Sequence, residues 1–447
     1  MHEHSSPWIS QLNRVRPVDA LTANTETNVA IIGAGIAGVT TAYFVLTMTD
    51  KTVVLLDADK VAHGATGHNA GQVTSYFEKP FAKLAAQFGL DSAAKGQQAV
   101  HDAWHLLERI YEHCKLQTPL LSFTGYAGFS SEEQLAIVLE GLQLQAQAGL
   151  RIEHLFLADE AGLSQVFSQY RDLFTLVPKS QVQQLLETKD TRYLGALSAR
   201  KGCLNSALFC EELVGYLIAT YPGRFRLHEH TAVTTVTLHE NSASLAAAGN
   251  TVRCYTVVLC TNGFERFSIV NEHGPTIDAA FHHHVHGTVG YMAGYVEKSD
   301  KPAVAISYLE RGGTNENDPY FYLTRRPYDA EENLVCVGGP DIDLPASEQY
   351  SSHKHYLPQA LTWIDSFLDR SYTTEREPYP AFRWHGLMGY TRTGVRLIGK
   401  EPRNPVLLYN LGCNGVGILP SIHGAEKIAR LIVGETCEQS IFDPQFG

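Results

Sequence analysis

The chain lacks any apolar stretch of about 18 residues free of charge, so the sequence offers no membrane-spanning helix. Its eight cysteines, Cys114, Cys203, Cys210, Cys254, Cys260, Cys336, Cys413 and Cys437, include no CxxC pair, and no structural zinc or other metal site is expected. A chain of 447 residues also needs no disulfide framework. Basic residues are the minority, 35 Lys+Arg against 47 Asp+Glu, for a net charge of −12. That is the wrong sign for a protein that grips phosphate backbones, so a nucleic-acid partner is not expected. The opening residues Met1–Trp8 have no basic region followed by an apolar core, so no secretory signal is expected and a cytoplasmic location is. With 44% hydrophobic residues, dominant disorder is excluded. Glycine, at 37 residues, barely exceeds the usual share of about 7%. Its placement is what carries information.

Residues 1–27 are polar and aperiodic and read as a surface-lying arm. The apolar run Val29–Ile32 then has strand character, Gly33-Ala34-Gly35-Ile36-Ala37-Gly38 follows at once, and Val39–Thr47 has helical spacing. A second apolar run, Thr52–Leu56, ends in Asp57, 19 residues past Gly38. Gly33 permits a tight turn, Gly35 lets backbone approach a pyrophosphate, and Gly38 lets the helix pack on the strand. The helix N-terminus favours the phosphate charge, and Asp57 stands where an acid accepts hydrogen bonds from ribose hydroxyls. This pattern predicts dinucleotide binding without choosing between NAD and FAD. The small-residue segment Val61–Gln72 chooses: a nicotinamide enzyme has no need of it, whereas a flavin's second phosphate and ring pass over such a loop.

With its run Gly64-Ala65-Thr66-Gly67-His68-Asn69-Ala70-Gly71, the chain resembles the D-amino-acid oxidase superfamily of flavoproteins. The glycine oxidase, sarcosine oxidase and gamma-glutamylputrescine oxidase-like branch is the nearest in pattern. Gly202–Asn205 before a helix at Leu208–Ile218 fits that pattern. So do meander strands at Phe225–Leu238, Ser244–Ala248 and Thr251–Tyr255, and a return strand ending in Thr261-Asn262-Gly263. Near the end come Trp384–Thr391, Leu407–Ile418 and a helix over Ala425–Ile432 closed by Gly434. The resemblance implies an α/β (α+β overall) protein with a Rossmann-type FAD-binding domain and a substrate domain on a mostly antiparallel sheet. The FAD domain would comprise residues 28–95, 196–266 and 380–436, and the substrate domain 96–195 and 267–379, with 437–447 a tail. Matching positions assign to FAD Gly33, Gly35, Ile36, Ala37, Gly38, Asp57, Ala58, Gly64, Ala65, Thr66, Asn69, Ala70, Gly71 and Gln72. They also assign Val233, Thr261, Asn262, Gly263, Gly389, Gly412, Asn414, Gly415, Val416, Gly417 and Ile418.

The activity implied is FAD-dependent oxidation of a primary or secondary amine or amino acid to an imine, by hydride transfer to the flavin. Oxygen or another oxidant would take the electrons, and the oligomeric state is not readable. Met388 stands where relatives carry a carboxylate-gripping Arg or a flavin-tethering Cys, so the FAD is expected to be non-covalent and an α-carboxylate less favoured. Arg325, Arg326 and Arg383 are candidate replacements for that Arg. In the run His282-His283-His284-Val285-His286, His284 and His286 are candidates to orient or deprotonate an ammonium substrate, against packed or solvated histidines. Tyr320 and Tyr322 share a strand face and are candidate substrate walls, against plain sheet packing. A flavin-fold binding protein without redox activity, and an NAD(P)-linked reductase, are the competing readings. A tRNA-modifying oxidase is disfavoured by the charge.

Overall fold

The computed structural model describes residues 2–3, 6–160, 162–264, 266–277, 285–298, 301–310, 320–345, 348–372 and 379–444. Two sheets organise these residues. The smaller has nine strands, and its central strand Thr25–Ile32 lies parallel to both Val53–Leu56 and Asn250–Leu259. Val29, Ala30 and Ile31 are fully enclosed, as the unbroken apolar run requires when a parallel strand is covered on both faces. The helix Ile36–Met48 buries every residue from Ile36 to Leu46 and packs against the last helix, Ile418–Val433. Gly434, at φ +95°, caps that helix in the left-handed conformation.

The larger sheet has eleven strands and is mostly antiparallel. Its centre is Phe382–Thr391, Val285–Glu297, Asn333–Leu344, Tyr320–Pro327 and Val304–Leu309, each antiparallel to the next. The α/β class with an antiparallel second sheet is the architecture read from the sequence. Strand pairing also links segments far apart in the chain. Gly195–Cys203 and Phe382–Thr391 pair within the larger sheet, whereas Ser268–Asn271 joins the smaller.

Two local expectations are corrected. Phe225–Leu238 is two strands: Phe225–His228 pairs parallel with Val53–Leu56, and only Val233–Leu238 enters the meander. The N-terminal arm lies on the surface over residues 9–20, but its start is docked into the fold. Ser6 caps a short helix, and its hydroxyl bonds the Gly67 carbonyl. Trp8 is fully buried and donates its indole N–H to the Asn69 carbonyl at 2.5 Å. Burial of such a ring stabilises by about 3 kcal/mol. Arg16 adds ion pairs to Glu211 (2.9 Å) and Glu229 (2.6 Å). Low hydrophobicity hid this docking, because one indole and a few paired charges anchor the segment instead of an apolar stripe. The arm thereby holds the small-residue loop 63–71 in place.

Candidate functional site

The strand Thr25–Ile32 delivers Gly33 at φ +103°, where a methyl would stand 2.6 Å from the Cys260 carbonyl oxygen. A methyl on Gly38 would meet the Gly33 oxygen at 1.8 Å, so helix and turn touch through bare backbone. Gly35 begins the helix, and Thr66 from the small-residue loop accepts the Ile36 N–H at 3.0 Å. Asp57 ends the neighbouring strand with Oδ2 on the Ala34 N–H (2.6 Å) and Oδ1 on the Asp59 N–H (2.8 Å). Burial outweighs those two donors and pushes its carboxyl up to about 6.

The second half of the cradle comes from the C-terminal loop. Gly412 (φ +82°), Asn414 (φ +46°) and Gly415 (φ +71°) turn the chain into the helix at Ile418. Asn262 Oδ1 accepts the Cys413 N–H at 2.8 Å, and Asn414 Oδ1 accepts the Thr391 N–H at 2.8 Å. These bonds tie the end of Asn250–Leu259, the loop and Phe382–Thr391 together.

A cavity of about 640 Å³ runs between the two sheets. Of the residues assigned to the dinucleotide, Gly33, Gly35, Ile36, Ala37, Asp57 and Ala58 line it. So do Gly64, Ala65, Thr66, Asn69, Ala70, Gln72, Val233, Thr261 and Asn262, and from the C-terminal loop Gly415, Val416, Gly417 and Ile418. Gly38, Gly71, Gly263, Gly389, Gly412 and Asn414 stand behind the wall. Gly71 makes room for Trp8, Gly263 for Val285, and Gly389 for the Asn262 oxygen.

The lining is built for an anion. Two helices start at it; neither Gly35 nor Gly417 has a side chain to cap its helix, and Thr66 takes only the Ile36 N–H of the first. Arg396, missed in the sequence, also lines it. Its guanidinium is buried and bonds Asn410 through Nε (2.5 Å to Oδ1) and Nη2 (2.7 Å to the carbonyl), and no carboxylate among the described residues pairs with it. Burial lowers its pKa to about 10, and an unpaired buried cation is costly. A pyrophosphate-bearing group fits these features: it supplies the charge that Arg396 and the two helix ends lack.

The other end of the cavity is acidic and aromatic. Glu78 accepts hydrogen bonds from the hydroxyls of Tyr320 (2.6 Å) and Tyr390 (2.8 Å). A methyl on Gly415 would lie 1.8 Å from Glu78 Oε1, so the carboxyl rests against the glycine loop. Burial raises its pKa, and the two tyrosines oppose the rise. Tyr76, Ser307, Tyr322 and Met388 complete the walls. Behind Ser307, the buried Lys201 donates to the Ser307 hydroxyl (3.2 Å) and the Tyr126 carbonyl (3.0 Å), with its pKa pulled down to about 8 by burial. No motif marks Glu78, Lys201 or Arg396. Each is a lone charged residue in an ordinary segment, and only burial makes it exceptional.

Of the candidate substrate residues, Tyr320, Tyr322 and Met388 line the cavity. Arg325 does not: it is buried elsewhere in a two-pronged pair with Glu187, 2.7 Å on each arm. Arg326 lies over the Trp8 ring at 4.6 Å, and neither it nor Arg383 lines the cavity. His286 is exposed and stacks on Tyr390, with ring centres 5.4 Å apart. It shares the strand face of the cavity-lining Gly290 but sits four residues, or about 13 Å, towards the rim. His284 lies outside the described residues.

The profile of a family described as FAD dependent oxidoreductase (DAO) matches residues 28–431. The chain is 32% identical over 113 residues to the Bacillus subtilis protein YhfW, named for a Rieske 2Fe-2S centre, covering 25% of this chain and 22% of that one. It is 30% identical over 94 residues to the gamma-glutamylputrescine oxidoreductase of Escherichia coli, covering 21% and 22%. The matches thus span about a fifth of these curated relatives. The crystal structure of glycine oxidase from Bacillus cereus superposes with a TM-score of 0.63 at 16% identity, over 91% of this chain and 95% of that one. That likeness is one of fold.

Proposed function

The chain belongs to the FAD dependent oxidoreductase (DAO) family, and from that premise we propose that it oxidises an amine. The observation that carries the reading is Glu78, a buried carboxyl held by two tyrosines in a chamber whose lining includes no lysine. The arginines of the lining, Arg266 and Arg396, are not among the hydrogen-bond partners of Glu78; Arg396 bonds Asn410, which in turn bonds Thr41 and Ser421 of the two helices. An ammonium finds a partner in this chamber and an α-carboxylate does not, so an amine is favoured over an α-amino acid.

FAD would lie with its phosphates at Gly33–Gly38 and Arg396, its ribose at Asp57, and its ring against the Gly415–Ile418 loop, held without a covalent bond. When bound, FAD would supply a hydride acceptor for the carbon bearing nitrogen, and the resulting imine would be hydrolysed by water. Before any hydride leaves, Glu78 binds the substrate ammonium and takes a proton from its nitrogen, freeing the lone pair that forms the C=N bond. Tyr320 and Tyr390 fix the carboxylate, and the aromatic walls favour a cation. We place the cofactor on the smaller sheet and the substrate under the larger. No helix among the described residues is long and apolar enough to cross a membrane. The eight unpaired cysteines suit a reducing, cytoplasmic setting.

The test is an anaerobic screen of amines and amino acids for bleaching of the flavin band. Simple amines should bleach it, and a protein that no amine reduces would refute the reading. A second expectation concerns pH. Bound ribose hydroxyls favour the ionised Asp57, whose carboxyl otherwise titrates near 6. FAD affinity should therefore fall by up to about tenfold per pH unit below 6. Release of flavin fluorescence measures it, and Asp57→Asn should flatten the dependence.

A further inference from the structure

A second carboxyl that amine oxidation leaves unused lies directly behind the chamber wall, covered by the lining residues Gly290, Met388 and Tyr322. Asp341 sits opposite Gly290 in the pairing of Asn333–Leu344 with Val285–Glu297. A methyl on Gly290 would meet Asp341 Oδ1 at 3.0 Å, Met388 Cε at 3.1 Å and the Tyr322 hydroxyl at 3.8 Å. Gly290, Met388 and Tyr322 all line the cavity. Asp341 Oδ1 is sealed from solvent and has no hydrogen-bond partner among the described residues. Its strand neighbour Asp343 accepts from the Thr288 hydroxyl at 3.0 Å, so Asp343 has a partner that Asp341 lacks. Burial, together with the negative charges of Glu78 and Asp343, pushes the Asp341 carboxyl up to about 8.

Glu78 lines the chamber from the segment before the helix Phe81–Phe88, and Asp341 stands behind the opposite lining on the larger sheet. The Tyr390 hydroxyl that bonds Glu78 lies 4.0 Å from Met388 Sδ, and the Met388 methyl shares the space over Gly290 with Asp341. Tyr320 and Tyr322, with ring centres 5.5 Å apart, flank the same space. A substrate with one ammonium satisfies Glu78 and leaves Asp341 orphaned, and a substrate with a distal carboxylate meets a second acid. An orphaned buried carboxyl is costly, and a second cation removes that cost.

We propose that this chamber takes a substrate with two ammonium groups and no carboxylate, an α,ω-diamine or polyamine, with one ammonium at Glu78 and the other at Asp341. The assignment rests on the amine-oxidation reading above. Its test compares 1,4-diaminobutane, 1-aminobutane and 4-aminobutanoate, which share a reacting end and differ in distal charge. Calorimetry on the holoenzyme held reduced with dithionite reads binding without turnover. The diamine should bind at least about tenfold more tightly than the monoamine, and the amino acid most weakly. In Asp341→Asn, with flavin content as the control for folding, the diamine-to-monoamine ratio should fall to within about twofold of unity. A diamine no tighter than the monoamine overturns the second seat, and so does a ratio that survives Asp341→Asn. Should the variant not fold, the wild-type series alone decides. If monoamines bleach the oxidised flavin and diamines show no preference, only the second seat fails. If no amine bleaches it, the reading of the activity fails with it.

Discussion

Glu78→Gln lowers the rate of flavin reduction by amine by about 10²- to 10⁴-fold, the range of a lost general base, while the protein still purifies with its flavin. Glutamine keeps the shape and its one oxygen can still receive a tyrosine hydroxyl, while its NH2 cannot accept the other and the side chain cannot take a proton. The sign of the pH dependence follows from the same residue. Burial raises the Glu78 pKa, so the active carboxylate is lost as pH falls through a value above the usual carboxylate range. The acid limb of kcat/KM therefore lies high for a carboxylate and disappears in Glu78→Gln. Tyr320→Phe or Tyr390→Phe removes a donor to the carboxylate and moves the limb up by about one pH unit for each hydrogen bond lost. Stopped-flow reduction across pH measures all three variants. An unchanged rate in Glu78→Gln would remove the residue from the chemistry.

Arg396→Met weakens FAD binding by about 10- to 100-fold, the value of a charge-assisted contact to an anion. Among the described residues the buried guanidinium bonds only Asn410 and has no carboxylate partner, so under the proposed placement the FAD phosphates would be its counter-charge. The gap in Tm between FAD-loaded and FAD-free protein should shrink. That gap isolates the cofactor's contribution from any damage done by freeing the Asn410 oxygens. Arg396→Lys should recover part of it, because charge survives while the fork geometry is lost. Wild-type FAD affinity in Arg396→Met would show that the charge is met some other way.

The glycine turn that lines the cavity was legible because its requirement is local. Gly33, Gly35, Gly38 and Asp57 lie within 25 residues, and each answers a steric or hydrogen-bonding demand that other residue types fail. The Gly38 methyl that would stand 1.8 Å from a backbone oxygen is such a demand. The substrate half was legible only in part. Tyr320 and Tyr322 were found by strand alternation, which the sheet obeys. Arg325 and His286 were chosen by residue type, and type does not tell whether a partner already exists. Glu187 holds Arg325, and His286 faces solvent at the strand's outer end.

Composition, glycine spacing and the two apolar runs thus determined the fold class and the bare-backbone turn between the first strand of the smaller sheet and its helix. Tertiary structure alone decided which buried charges stand in or beside the cavity without an opposite charge. Glu78, Asp341 and Arg396 come from three distant segments, and what makes them chemical is burial beside bare backbone and tyrosine hydroxyls. Desolvation is a property of the packed surroundings, so no window of sequence records it. The N-terminal arm obeys the same rule: one indole, placed under a loop sixty residues away, turned a polar tail into part of the site's frame.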